Sequence, residues 1–287
     1  MRARPLVLLL LLLAIAQAWA RHVQDDIRTG AVLSRGVNLG AWLIIEHFMT
    51  QTSPIWWQVP ADKRDWGEYT AMQLLGHAVA DPLIKAHRDS WITEDDIKEI
   101  ASYGLNTVRV PVGCLVDWTD DWRVFTPGSL AYLDRLINEW AVTHNVAVLV
   151  DIHAAKGSQN GNDNSSPVTK GESHFTNNAN NVFVTITTAQ FLVNRYAASP
   201  AFLGLELLNE PTFDPKQVHT TDETKLKLYY TSAYPSLRSI CGNCVLLMSP
   251  FLSEQYESFG HKWANVLPPH RNNWIDWHKY LIWGFEN

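Results

Sequence analysis

Residues 146–153 read Val146-Ala147-Val148-Leu149-Val150-Asp151-Ile152-His153. The run is apolar without alternation, so the strand it predicts, Val146 to Ile152, is expected to be buried on both faces. Strands of that kind belong to parallel sheets covered by helices. The polar residues come last: Asp151 and His153 stand at the C-terminal end of the strand.

Strand and helix signals alternate on both sides of this stretch. A short strand reads at Val37 to Leu39. Thr93 looks like an N-cap, with Glu94, Asp95 and Asp96 in the first turn, where the helix dipole favours acids. Ile97, Ile100 and Ala101 share a face, and Gly104 ends that helix. A strand from Leu105 to Val112 follows. Pro127-Gly128-Ser129 opens a helix that places Leu130, Leu133, Ile137, Trp140 and Ala141 on one side. After the 146–152 strand comes a Gly/Asn/Ser-rich loop, Gly157 to Gly171, then a helix around Thr176 to Tyr196 and a strand Phe202 to Leu208. A helix over about Asp222 to Ser239, a strand Val245 to Met248, a short helix near Ser253 to Gly260 and a last strand about Trp274 to Trp277 complete the series.

About six β/α units imply parallel strands with helical crossovers. The other arrangement is an open doubly wound sheet, but no Gly-rich phosphate loop follows the first strand, which argues against its nucleotide-binding version. Arg109, Asp151 with His153, Asn209 with Glu210, and His278 all fall at C-terminal strand ends. A (β/α)8 TIM barrel gathers those ends onto one active-site face. The expected fold is therefore an α/β barrel, apparently incomplete.

Arg2 and Arg4, the Leu-rich run Leu6 to Ala16, and Ala18-Trp19-Ala20 form the pattern of a secretory signal peptide, which assigns 1–20 to a leader and 21–287 to the barrel domain. An N-terminal anchor helix is the alternative, but the apolar run is short for a bilayer. The expected location is extracellular or in a cell wall. Without Arg2 and Arg4, 21 basic residues face 29 acidic ones. That surplus of negative charge argues against nucleic acid or an anionic membrane as partner. Cys114 sits in an apolar stretch and reads as a buried thiol. Cys241-Gly242-Asn243-Cys244 can close a small disulfide loop in an oxidising compartment. No second Cys pair exists to complete a zinc site, so neither metal nor cofactor is expected.

The chemistry concentrates at Leu205-Glu206-Leu207-Leu208-Asn209-Glu210-Pro211. Pro211 stops the strand and presents Glu210 at its mouth. Hydrolysis of a glycosidic bond needs a carboxylic acid to protonate the leaving oxygen and a second carboxylate opposite it. Partial desolvation is expected to raise the pKa of Glu210 toward that role. The alternative is a strand-ending turn with a surface Glu.

Five motifs in order then carry a family resemblance. Arg35-Gly36-Val37-Asn38-Leu39-Gly40-Ala41-Trp42-Leu43 with Glu46, Asn106-Thr107-Val108-Arg109-Val110-Pro111, Asp151 to Gly161 with Asp163-Asn164, Leu208-Asn209-Glu210-Pro211, and Asp276-Trp277-His278-Lys279-Tyr280 resemble the exo-β-1,3-glucanase branch of glycoside hydrolase family 5. The resemblance implies a retaining hydrolase of β-glucan with Glu210 as general acid/base. It implies that Asn209 bonds the sugar 2-hydroxyl and that Arg109 lies under the nucleophile and keeps it ionised. It implies that His153 and His278 line the subsite of the cleaved sugar, and that Tyr280 donates to the nucleophile. It further implies that Glu46 and Asp163, with the adjacent Asn164, grip the non-reducing end; on residue type alone Asp163 is an ordinary turn aspartate and Glu46 an ordinary charge. A few of the 13 Trp and 9 Tyr would serve as sugar-stacking platforms, the rest packing the core.

The chain also departs from the family. Ala41 replaces a usual Gly, and Lys156 a usual Pro. The nucleophile should be a Glu ending a seventh strand, and Glu286 is too close to the sixth to serve. The expectation is a truncated barrel with little or no turnover of its own. The competing reading is a non-catalytic glucan-binding protein that keeps Glu46, Asp163 and Asn209. Asn164-Ser165-Ser166 is a glycosylation sequon expected to stay unmodified, because a glycan there would obstruct the site.

Overall fold

A computed structural model of the chain describes residues 21–280, apart from 114–122, 218 and 257–258. The expected leader and Cys114 lie outside the described residues. Six strands, β1 (Gly36–Asn38), β2 (Thr107–Val112), β3 (Ala147–Ile152), β4 (Phe202–Glu206), β5 (Val245–Met248) and β6 (Asn273–Ile275), form one sheet in sequence order. Every neighbouring pair is parallel. A doubly wound sheet reverses its strand order at a switch point, whereas an unreversed order is that of a barrel wall. Among the described residues β1 and β6 each pair on one side only, so the wall is open, as the count of six units implied.

Helix α1 (Val23–Thr29) precedes β1. Helices α2 (Glu68–Leu75), α3 (His77–Trp91) and α4 (Glu94–Ser102) lie between β1 and β2, and α5 (Ser129–Arg135) lies between β2 and β3. Helix α6 (Ala179–Tyr196) joins β3 to β4, α7 (Glu223–Ile240) joins β4 to β5, and α8 (Gly260–Ala264) precedes β6. Thr93 caps α4 in a capping box with Asp96, as its sequence indicates. The α5 helix runs through a π-helical turn, Leu136–Trp140, before a last α turn.

Several boundaries differ from the sequence reading. The sequence signals give no helix over α2 and α3: each starts at a Gly with no side-chain cap, and Pro82 lies inside α3. The single helix expected near 253–260 is a 3-10 turn, Leu252–Glu254, followed by α8, so Gly260 opens a helix instead of ending one. Strand β4 stops at Glu206, not Leu208. The Leu207 N–H still donates to the Leu247 carbonyl at 2.9 Å and the Asn209 N–H to the Ile152 carbonyl at 3.0 Å, which keeps the segment against its neighbours. Strand β6 lies slightly earlier than expected.

The unbroken apolar run of β3 is explained by two cores. Val148, Val150 and Ile152 join Val108, Val110, Leu205 and Leu246 in the layer beneath the helices. Ala147 and Leu149 face the other way, with Leu203, Val245 and Leu247, and α1 covers them with Ile27. Each such side chain, fully buried, contributes roughly 1.5–3 kcal/mol. The Cys241–Cys244 disulfide forms in the turn between α7 and β5, which is one of the two outcomes the sequence left open.

Gly204 in β4 lets β5 approach closely: a Cβ there would sit 2.0 Å from the Val245 carbonyl oxygen. Gly204→Ala should therefore destabilise the chain by about 1–3 kcal/mol. A urea unfolding curve superimposable on that of the unmodified chain would contradict this packing.

Candidate active site

Glu210 stands where the chain leaves β4, and its carboxylate is the centre of the site. Oε1 accepts hydrogen bonds from His278 Nδ1 at 2.5 Å and from the Tyr280 hydroxyl at 2.7 Å. Oε2 accepts from Asn164 Nδ2 at 3.2 Å. The backbone of Glu210 is left-handed, with φ +42°. That conformation is uncommon for any residue with a Cβ, and the position before a proline disfavours it further. It is held from outside. The Gln159 side chain donates to the carbonyls of both His153 and Asn209 at 2.8 Å, and Asn160 Nδ2 donates to the Glu210 carbonyl at 3.1 Å. The long polar loop after β3 is thus a clamp on the end of β4.

Below the carboxylate lies a buried charged layer. Arg109 Nε donates to Glu206 at 2.7 Å, and Arg109 Nη2 lies 2.9 Å from Asp151 and 2.8 Å from Asn209 Oδ1. Its Nη1 reaches Asn38 at 3.0 Å. Burial opposes the charge on Arg109, but Asp151 and Glu206 more than restore it, so its pKa is raised. Glu206 is fully buried, and burial pushes its pKa well up in spite of Arg109. His153 Nδ1 is 2.6 Å from Asp151, and its Nε2 is 3.9 Å from Glu46.

Glu46 is buried, and burial lifts its pKa to about 7 against the pull of His153. The helices missed in the sequence hold its loop: Glu68 of α2 accepts from the Ile45 N–H at 3.0 Å, and the Arg88 carbonyl of α3 accepts from Trp42 Nε1 at 3.0 Å. Asp163 sits on a 3-10 turn, Asp163–Ser165, with its pKa raised by burial. It reaches Glu46 through its charge, with no hydrogen bond to Glu210.

The structure therefore assembles Glu46, Arg109, His153, Asn164, Asn209, Glu210, His278 and Tyr280, with Asp163 at the margin. One expectation is corrected. Burial does raise the pKa of Glu210, but the His278 and Tyr280 hydrogen bonds and the His278 charge outweigh it, and the net shift is downward. Among the described residues Tyr280 donates to Glu210. Sequence reasoning also gave no role to Gln159, Asn160, Glu206 or Asp276. Glu206 carried a signal: a charge inside the apolar run of β4 must find a partner. A further detail concerns Ala41, whose φ is +57°, so the substitution of a usual Gly falls where glycine is favoured.

Two clusters among the described residues have the donors for a metal ion: Glu206 with Asp276 and His278, and Glu172 with His174 and His219. The first already holds two cationic groups, Arg109 and His278. Asp276 Oδ2 lies 2.8 Å from His278 Nε2. Burial alone would lower the pKa of His278, but its bonds to Asp276 and Glu210 raise it to about 10.

His278 should stabilise the fold in a defined pH window. Its folded pKa exceeds the unfolded value of about 6.5, so the contribution is complete below that pH and is lost as pH rises toward 10. The stability gap between the unmodified chain and His278→Gln, from urea titrations, should be widest at pH 6 and shrink toward pH 10. A gap constant across this range would rule out the imidazolium.

A family model described as Cellulase (glycosyl hydrolase family 5) matches residues 68–287. The chain is 32% identical over 252 residues to Glucan 1,3-beta-glucosidase 2 of Wickerhamomyces anomalus, covering 86% of this chain and 56% of that protein. It is 34% identical over 252 residues to the Glucan 1,3-beta-glucosidase of Blumeria graminis, covering 86% and 55%. The chain thus spans just over half the length of the curated relatives it matches. Among solved structures, a rutinosidase from Aspergillus niger superposes with a TM-score of 0.63 at 19% identity, over 78% of this chain and 63% of that one, which shows a shared fold. With the family model covering most of the chain and the six strands arranged as a barrel wall, the chain belongs to glycoside hydrolase family 5.

Proposed function

We propose that the protein to which this chain belongs is a secreted hydrolase of β-glucan that removes sugar from chain ends, with preference for β-1,3 linkages and retention of configuration. The observation that carries the reading is the convergence of Asn164, His278 and Tyr280 on the Glu210 carboxylate at the C-terminal mouth of a parallel sheet. Glu210 is the general acid/base. Asn209 keeps one buried amide donor, Nδ2, without a partner among the described residues, and a sugar 2-hydroxyl would satisfy it. Glu46, its pKa near 7, can donate to or accept from a hydroxyl at the non-reducing end, and Asp163 stands beside it electrostatically.

The lowered pKa of Glu210 bears on the mechanism. A general acid must hold a proton at working pH, and the two donors on Oε1 favour the ionised form. Retention needs a second carboxylate about 5 Å away. Its negative charge would push Glu210 up by like-charge repulsion, and it would compete for the Tyr280 hydroxyl. The resemblance puts that nucleophile on a seventh strand, beyond the six described ones, so the reading draws the acid/base but not the nucleophile from the described residues. Asn164 uses its amide nitrogen on Glu210, consistent with a sequon left unglycosylated.

The test is chemical rescue. A β-glucoside with a good leaving group is incubated with the chain, with and without azide. Azide attack in place of the nucleophile should give α-glucosyl azide, with release suppressed in buffer alone. Hydrolysis in buffer alone would place the nucleophile within the chain. Failure both to form the azide and to bind β-1,3-glucan oligosaccharides would remove the glucanase reading.

A further inference from the structure

We propose that Glu172, His174 and His219 form a site for a transition-metal dication of the zinc class, which fastens the loop between β3 and α6 to the loop between β4 and α7. One ligand atom of each residue lies within 4.8 Å of the others. His174 Nε2 is 2.9 Å from Glu172 Oε2, and the two imidazole rings are 4.2 Å apart between centroids. None of the three hydrogen-bonds to Glu210, and the glucanase reading gives them no task.

The donor set selects the ion. Two imidazoles and one carboxylate suit zinc, copper, nickel or cobalt, whereas calcium and magnesium take oxygen ligands. Around a tetrahedral zinc, donor atoms stand about 3.4 Å apart, so no pair has to close by more than about 1.4 Å, and the His174–Glu172 pair, at 2.9 Å, has to open slightly. All three side chains are part-exposed, which leaves an entry path and room for water in the fourth position.

The backbone beneath the ligands is already fixed. Ser173, between Glu172 and His174, is buried. Its N–H donates to the His219 carbonyl at 3.1 Å, and its hydroxyl lies 2.8 Å from that of Thr221. Nδ1 of His219 lies 3.2 Å from the Asn177 side-chain amide, which leaves Nε2 for the ion. With Nε2 ligating, Nδ1 carries the proton and donates to Asn177 through an amide flip, the usual outer partnership of a ligating imidazole. Both loops also bear on the clamp: the Thr221 hydroxyl donates to the Gln159 carbonyl at 2.8 Å.

The test uses the full chain stripped of metal by chelator. Calorimetric titration with zinc chloride should give one saturable site, and the thermal midpoint should rise with zinc and fall again with chelator. His174→Ala and His219→Ala should each weaken binding by about tenfold or more. Loaded with copper(II), the unmodified chain should show two nitrogen donors by electron paramagnetic resonance, and His219→Ala one. No zinc uptake up to about 1 mM, a free energy of only about −4 kcal/mol, would overturn the proposal. So would unchanged affinity in both variants, or a copper spectrum of the unmodified chain without nitrogen donors. That spectrum decides the matter even where a variant fails to fold.

Discussion

One buried cation organises the mouth of this sheet. Arg109 leaves β2 and bonds to Asn38 on β1, Asp151 on β3, Glu206 on β4 and Asn209 just past it. Arg109 sits mid-strand in β2, not at the strand end the sequence suggested, and from there its single planar group fixes the C-terminal ends of β1, β3 and β4. The arrangement depends on register: Asp151 pairs with Glu206 across β3 and β4, and Asn38 with Arg109 across β1 and β2. A slip of one residue would turn these side chains into the apolar layer under the helices. Breaking a buried pair of this kind typically costs about 3–5 kcal/mol, because the remaining charge is left without compensation. The charged layer therefore specifies the alignment of the strands as well as the platform for the chemistry above it.

A second constraint rests on that platform. Glu210 occupies left-handed backbone before a proline, which the chain alone would avoid. It is kept there by the amides of Gln159 and Asn160 and by its own carboxylate contacts. The polar loop after β3 looks like a flexible connector by composition. Its buried side chains, Ser158, Gln159, Asn160 and Ser165 among them, instead satisfy backbone groups that would otherwise be stranded. Position and protonation are then set together: the contacts that aim the carboxylate also lower its pKa.

Much of this was legible in the sequence, for physical reasons. The doubly buried β3, the capped α4 and the polar residues at strand ends each follow from local pattern. Helices α2 and α3 did not, because Gly67, Gly76 and Pro82 carry the signals of turns while tertiary contacts from Trp42 and Ile45 hold the helices in place. The site residues were found by type and order. Their protonation was not, since it depends on which partners arrive from distant segments: His278 and Tyr280 lie 68 and 70 residues beyond Glu210. Desolvation is readable from a buried strand, whereas the compensating imidazolium is a product of the fold.

The strain at Glu210 also limits what can stand there. Glycine or asparagine would occupy that backbone more comfortably than glutamate, but neither carries a carboxylate for His278 and Tyr280 to bond. Backbone comfort and side-chain chemistry thus ask for different residues at one position, and the fold serves the second at the expense of the first.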